Sequence, residues 1–148
     1  MGNQHGMPEG RVVVSVGAVV EDGDGRVLLV KHVPERRGFW QDRWIFPGGK
    51  LELGESVAAG IRREVREETN LEIEVTSPLP VAERIVRDGS QVTLHVLYIT
   101  YMARRIGGEL RPGSDVGQAR WVTPAEIEDL WDELHEDTRP IARNAGIL

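Results

Sequence analysis

The sequence predicts an α/β domain built around a mixed β-sheet, and three observations lead there. Two pairs of apolar, β-branched runs are joined by glycine-bearing turns: residues 12–20 to 26–33 across Glu21-Asp22-Gly23-Asp24-Gly25, and residues 81–86 to 92–102 across Arg87-Asp88-Gly89-Ser90. That is the signature of hairpins. Between them Val57, Ile61 and Val65 recur at i, i+4 and i+8, the spacing of an amphipathic helix. Further on, a short run at 119–122 leads into Thr123-Pro124 with Glu126 three residues beyond the cap, a second helix start.

Taken in order, residues 1–10 (MGNQHGMPEG) carry no periodic apolar pattern and read as a flexible arm, with one domain expected over 11–148. A chain of 148 residues is of the size that buries a single core. After the first hairpin, residues 34–43 form a charged and aromatic loop with Arg36, Arg37, Phe39 and Trp40. Trp44-Ile45-Phe46 then makes a short strand that ends at Pro47-Gly48-Gly49. Ser56 suits a helix N-cap, and the helix is expected to run through Thr69, where Asn70 can adopt the left-handed conformation that stops it. Residues 71–75 read as a strand. The second helix is expected to reach about Leu134, and the tail, 135–148, offers a short helix near Pro140 to Arg143 with no function assigned to it.

Composition narrows the function. With 40% hydrophobic and 28% charged residues the chain has ordinary globular usage, and a net charge of -6 repels polyanions, which argues against bulk nucleic-acid binding. A phosphate-bearing ligand must then be met by local Arg or Lys or by a bound cation. The absence of cysteine removes thiolate metal sites and cysteine nucleophiles together. No stretch approaches the roughly 20 apolar residues a membrane span needs, and residues 1–10 hold no apolar signal core, so no membrane association and a cytoplasmic location are the expectation.

The chemistry sits on the first helix. Glu64, Glu67 and Glu68 are three and four positions apart, which at 3.6 residues per turn gathers their carboxylates on one face. Such a run is ordinarily a solvated acidic face with i,i+4 support from Arg63 to Glu67. Turned inward, three acids repel and need a compensating charge, and hard oxygen ligands of this kind suit Mg²⁺ or Mn²⁺.

Gly48-Gly49, Glu52, Gly54 and Glu55 precede that helix, and in this context the segment resembles the Nudix box. The pattern is Gly, five residues, Glu, seven residues, Arg-Glu, an aliphatic residue, any residue, Glu-Glu, any residue, Gly, aliphatic. Gly49, Glu55, Arg63, Glu64, Val65, Glu67, Glu68 and Leu71 fit in register, and Asn70 stands where the family has Gly. The resemblance implies the Nudix fold, an α/β/α sandwich with a central mixed β-sheet, covering roughly residues 11–134. It also implies metal-dependent hydrolysis of a diphosphate bond in a nucleoside diphosphate-linked small molecule.

From the resemblance, Glu64 and Glu68 are the principal metal ligands, Glu67 binds or orients a second ion, and the Gly48 carbonyl is a backbone ligand. Glu55 supports the loop or the water network, and Arg63 is an ion-pair partner that holds the glutamates. Glu64 is the first candidate for the catalytic base, with Asp115 second. Asp115 lies six residues before Trp121, near where relatives place one more acid, and Glu109 competes for that role. Mg²⁺ is the implied cofactor, with Mn²⁺ an alternative.

Substrate contacts are expected from Trp44 by stacking, with Phe39 and Trp40 covering, and from Arg36 or Arg37 and Arg84 at phosphate; Arg84 and Arg87 point to opposite faces of their strand and cannot both serve. His32 and His95 read as satisfied sheet residues. A nucleoside triphosphate is preferred because the family's markers for ADP-ribose and dinucleoside polyphosphates do not stand downstream of the box. ADP-ribose or another sugar nucleotide is the alternative, and a non-catalytic nucleotide-binding module is a third reading. Isopentenyl diphosphate isomerisation is disfavoured by the missing cysteine and messenger-RNA decapping by the acidity. Family members are often dimers, so a homodimer is an allowed assembly.

Overall fold

The computed structural model describes residues 10–33 and 42–148, which form a mixed eight-stranded sheet flanked by helices on both faces. The central strand is β1 (Val13–Glu21). It runs parallel to β7 (Gln91–Gly107), Val13 to Glu21 lying opposite Val96 to Arg104. The opposite edge of β1 is shared. Near the turn, Glu21 faces Val27 of β2 (Val27–His32), while Ser15 to Gly17 pair with β4 (Gly48–Lys50).

The expected first hairpin thus closes at its turn and then opens. There the Asp22 side chain holds the N–H groups of Asp24 and Arg26 at 2.7 and 3.1 Å, and Gly23 and Gly25 have positive φ. Beyond Glu21 and Val27 the strands part. β2 finds its partners in β8 (Val116–Val122) and β3 (Trp44–Ile45), both antiparallel, and β4 comes in beside β1.

β4 is a departure from the sequence reading, which took Pro47-Gly48-Gly49 as the end of a strand. Its glycines answer to crowding rather than to turn geometry. A Cβ on Gly17 would lie 2.7 Å from the Pro47 carbonyl oxygen, and one on Gly48 would collide with the Val16 carbonyl. Two backbones without side chains can approach this closely.

The second hairpin forms as expected, β6 (Ala82–Asp88) pairing antiparallel with β7 across Gly89 and Ser90. β5 (Glu72–Pro78) pairs with the C-terminal half of β7.

Alternation along β1 divides the core. Val16, Ala18 and Val20 face α1 (Val57–Thr69) and pack with Ile61, Val65, Leu28, Leu71 and Ile73. Val13 and Val19 face the other way, onto Tyr98, Val96, Leu29, Ile127, Leu134 and Ile141. Each fully buried Ile or Val contributes about 1.5–3 kcal/mol. The second layer is made by α2 (Pro124–Asp129), a 3₁₀ turn (Trp131–Glu133) and α3 (Thr138–Asn144). With α1 on the opposite face, the architecture is the α/β/α sandwich.

The caps of α1 are those the sequence indicated: Ser56 Oγ accepts from the Ala59 N–H at 3.1 Å, and Asn70 closes the helix at φ 65°. The second helix carries its Thr123/Glu126 capping box but is shorter than expected. It tightens into the 3₁₀ turn at Leu130, and Leu134 bridges to Trp44 while the His135 N–H donates to the Trp44 carbonyl at 2.9 Å. That extra strand-like pairing pulls the chain out of the helix and carries α3 onto the sheet. No described helix is long and apolar enough to cross a membrane.

Candidate active site

Where β1 and β2 part, a cavity of about 480 Å³ opens, a size typical of small-molecule sites at roughly 300–1,000 Å³. The Gly48–Lys50 strand and the inner face of α1 form one wall, with Arg63, Glu64, Glu67 and Glu68. Ser114 and Asp115 reach it from the loop before β8, and Tyr98, Thr100, Asp137, Thr138 and Ile141 line its far end.

The glutamates differ sharply in exposure. The side chain of Glu68 is 6% exposed and that of Glu64 15%, whereas Glu67 is half exposed at 48%. Glu68 Oε1 accepts from the Gly48 N–H at 2.9 Å. Burial, then the neighbouring Glu68 charge, push the Glu64 carboxyl up to about 7 against the pull of Arg63. Gly49 is required here for a steric reason, because a Cβ at that position would lie 2.6 Å from the Glu64 carboxylate.

Arg63 is the local counter-charge. Its Nη1 donates to Glu64 Oε1 at 2.8 Å and to Glu67 Oε1 at 3.3 Å, Nη2 to the Lys50 carbonyl at 3.1 Å, and Nε to Glu55 Oε2 at 2.7 Å. Glu55 closes the arrangement by also accepting from Nη2 of Arg63 and the Glu52 N–H. Arg63 first, then that backbone bond, hold the Glu55 carboxyl down at about 2. Glu55 therefore fixes Arg63 and the β4–α1 loop, and Arg63 fixes the glutamates.

Among the described residues no three His, Asp or Glu side chains converge on one point as a metal would draw them. The donor chemistry nevertheless fits a hard cation: the inward groups are carboxylates, the Gly48 carbonyl belongs to a segment lining the same wall, and Arg63 is already the positive charge lying across Glu64 and Glu67.

Of the other expected residues, Asp115 lines the cavity, and its carbonyl accepts from the Val33 N–H at 2.9 Å. Glu109 lies away from the cavity, on a shallow surface depression with Asp22, Arg26 and Trp121. Trp44, expected to stack on substrate, is buried among Val27, Leu29, Phe46 and Leu134, with Lys31 and Arg120 over its ring, and is not among the residues lining this cavity. The Arg84 guanidinium, expected at phosphate, is held by Asp137 at 2.6 Å and Glu136 at 2.9 Å, behind the cavity-lining Asp137. Arg36, Arg37, Phe39 and Trp40 lie outside the described residues.

Two contributions escaped the sequence reading. His32 lines the cavity beside Glu68. The tail supplies Asp137, Thr138 and Ile141, of which Asp137 takes hydrogen bonds from Arg84 and the Tyr98 hydroxyl. Asp137 stands at the N-cap of α3 without capping it, its carboxylate being committed to the sheet instead. The sequence offers a short helix here, near Pro140 to Arg143, and no function for the tail.

A family model, the NUDIX domain, matches residues 11–144. The chain is 31% identical over 122 residues to a MutT-like protein of Streptomyces ambofaciens, covering 82% of this chain and 71% of the relative. It is 27% identical over 131 residues to the nucleoside triphosphatase NudI of Escherichia coli, covering 84% and 91%. The crystal structure of a MutT NUDIX hydrolase from Burkholderia pseudomallei superposes with a TM-score of 0.72 at 26% identity, covering 90% of this chain and 98% of that one. The chain belongs to the NUDIX family and is a pyrophosphohydrolase of that family.

Proposed function

We propose that this cavity hydrolyses a diphosphate bond of a nucleoside triphosphate with Mg²⁺ as the working cation. The observation that carries the reading is the pair of buried carboxylates, Glu64 and Glu68, on one wall of the cavity with Arg63 lying across the acidic face. In this reading Glu64, Glu67, Glu68 and the Gly48 carbonyl hold the ion, with Mn²⁺ an alternative of the same oxygen preference. A bound divalent cation there supplies charge neutralisation for the diphosphate and a lowered pKa for water.

The protein's own groups do the rest. Glu64 accepts the proton of the attacking water, and Asp115 is the second candidate. Arg63 and Glu55 are positioning residues that keep the acidic face in register. The nucleoside lies toward the far end, where Phe46, Tyr98 and Ile141 offer apolar and aromatic surface and Asp137 and Thr138 offer polar edges. The triphosphate preference is supported by the similarity to NudI, a nucleoside triphosphatase.

The test is a panel of nucleoside triphosphates, ADP-ribose, other sugar nucleotides and dinucleoside polyphosphates with Mg²⁺. A triphosphate should give the highest kcat/KM. A higher value on a sugar nucleotide would replace the substrate assignment, and no turnover on any member would overturn the catalytic reading.

A further inference from the structure

His32 enters the cavity through an irregularity in β2. The pairing of β2 with β8 runs in register from Val27 opposite Val122 to Lys31 opposite Gln118, and then shifts so that His32 faces Val116. Register shifts of this kind re-aim a side chain. Here the imidazole is delivered to the wall that carries Glu68.

His32 is 9% exposed, and its Nε2 lies 3.3 Å from Glu68 Oε2, within ion-pair range but off the hydrogen-bond line. That nitrogen has no hydrogen-bond partner among the described residues. An unmatched buried polar atom costs roughly 1–3 kcal/mol, so it marks either strain or a bond made in another state. On Glu68, Oε1 accepts from the Gly48 N–H while Oε2 faces His32.

We propose that His32 is a positioning residue for the hydrolysis: its Nε2–H donates to Glu68 Oε2 when the acidic cluster holds a divalent cation. Glu68 would then be fixed on two sides, by the Gly48 N–H and by His32. Partners of this type orient metal-binding carboxylates, and their loss weakens metal binding by roughly 10- to 100-fold. The inference rests on the metal assignment of Glu68 made above.

The experiment is Mn²⁺ binding to the substrate-free full chain, read by electron paramagnetic resonance, for wild type, His32→Leu and His32→Gln, with thermal melting of each metal-free protein. Removal of an unmatched polar group should leave the metal-free melting temperature of His32→Leu at or above that of wild type, while its Mn²⁺ dissociation constant rises about 10-fold or more. His32→Gln, whose amide nitrogen reaches the same place, should recover most of the affinity. Turnover should fall in parallel, and raising Mn²⁺ should restore kcat in His32→Leu. Wild-type affinity in His32→Leu would overturn the role of His32 alone. A large loss of metal-free stability would show a structural role instead. Absence of Mn²⁺ binding by wild type would overturn the metal assignment itself and this inference with it.

Discussion

At the scale of single residues, the site depends on keeping like charges together inside a fold. Glu64 and Glu68 are both buried, and only one cationic side chain, Arg63, contacts more than one carboxylate of the cluster among the described residues. Gly49 shows how little space is left. Gly49→Ala should displace the Glu64 carboxylate, lowering kcat at least about 10-fold with a smaller effect on the melting temperature, since the new methyl meets a side-chain end rather than backbone. Steady-state kinetics beside a thermal melt checks this, and a Gly49→Ala enzyme with wild-type kcat would show that Glu64 is not held where it works. Glu55→Gln tests the other side of the clamp. With Glu55 neutral, Arg63 loses its strongest partner, and activity should fall while substrate KM changes little.

At the scale of elements, α1 shows what was legible in the sequence and why. A Ser cap, apolar residues four apart and a left-handed stop at Asn70 are local rules, and all act within the helix itself. Asn70 adds something glycine could not, since its Nδ2 donates to the Glu109 carbonyl at 3.0 Å and ties the helix end to the loop after β7. Asn70→Ala should cost about 1 kcal/mol or more in urea unfolding, because φ 65° is strained for alanine and the bond is lost; Asn70→Gly, relieved of the strain, should cost less.

The elements that were not legible are those whose residues answer to distant neighbours. Gly48-Gly49 has turn composition, yet it forms a strand because Gly17 admits its backbone. Trp44 is covered by the core once Leu134, 90 residues on, returns to pair beside it. The α3 tail carries His135, Asp137 and Thr138 as buried polar residues, a pattern that hydrophobic periodicity does not register.

At the scale of the whole molecule, a protein with net charge -6 concentrates acids where an anionic substrate must arrive, so a cation has to join the two. Stability should report this. The Glu64 carboxyl is raised from 4.5 to about 7, so its contribution to folding is fully present below about pH 4.5 and is lost as pH rises through about 7. The carboxyls held down by their arginine and backbone partners, Glu55 and Glu72 among them, act oppositely, but their windows lie below about pH 4.5 and leave the range above pH 5 unaffected. Mg²⁺ should therefore raise the melting temperature more at pH 8 than at pH 5, a difference that scanning fluorimetry can measure. An equal rise at both values would separate Glu64 from the metal site.

The most direct test follows a nucleoside triphosphate by ³¹P nuclear magnetic resonance with wild type and Glu64→Gln, with Mg²⁺ and with chelator. Wild type with Mg²⁺ should break a diphosphate bond, chelator should stop it, and Glu64→Gln should be slower by about 100-fold or more while still folded. Turnover that persists in chelator, or a Glu64→Gln enzyme as fast as wild type, would contradict the account.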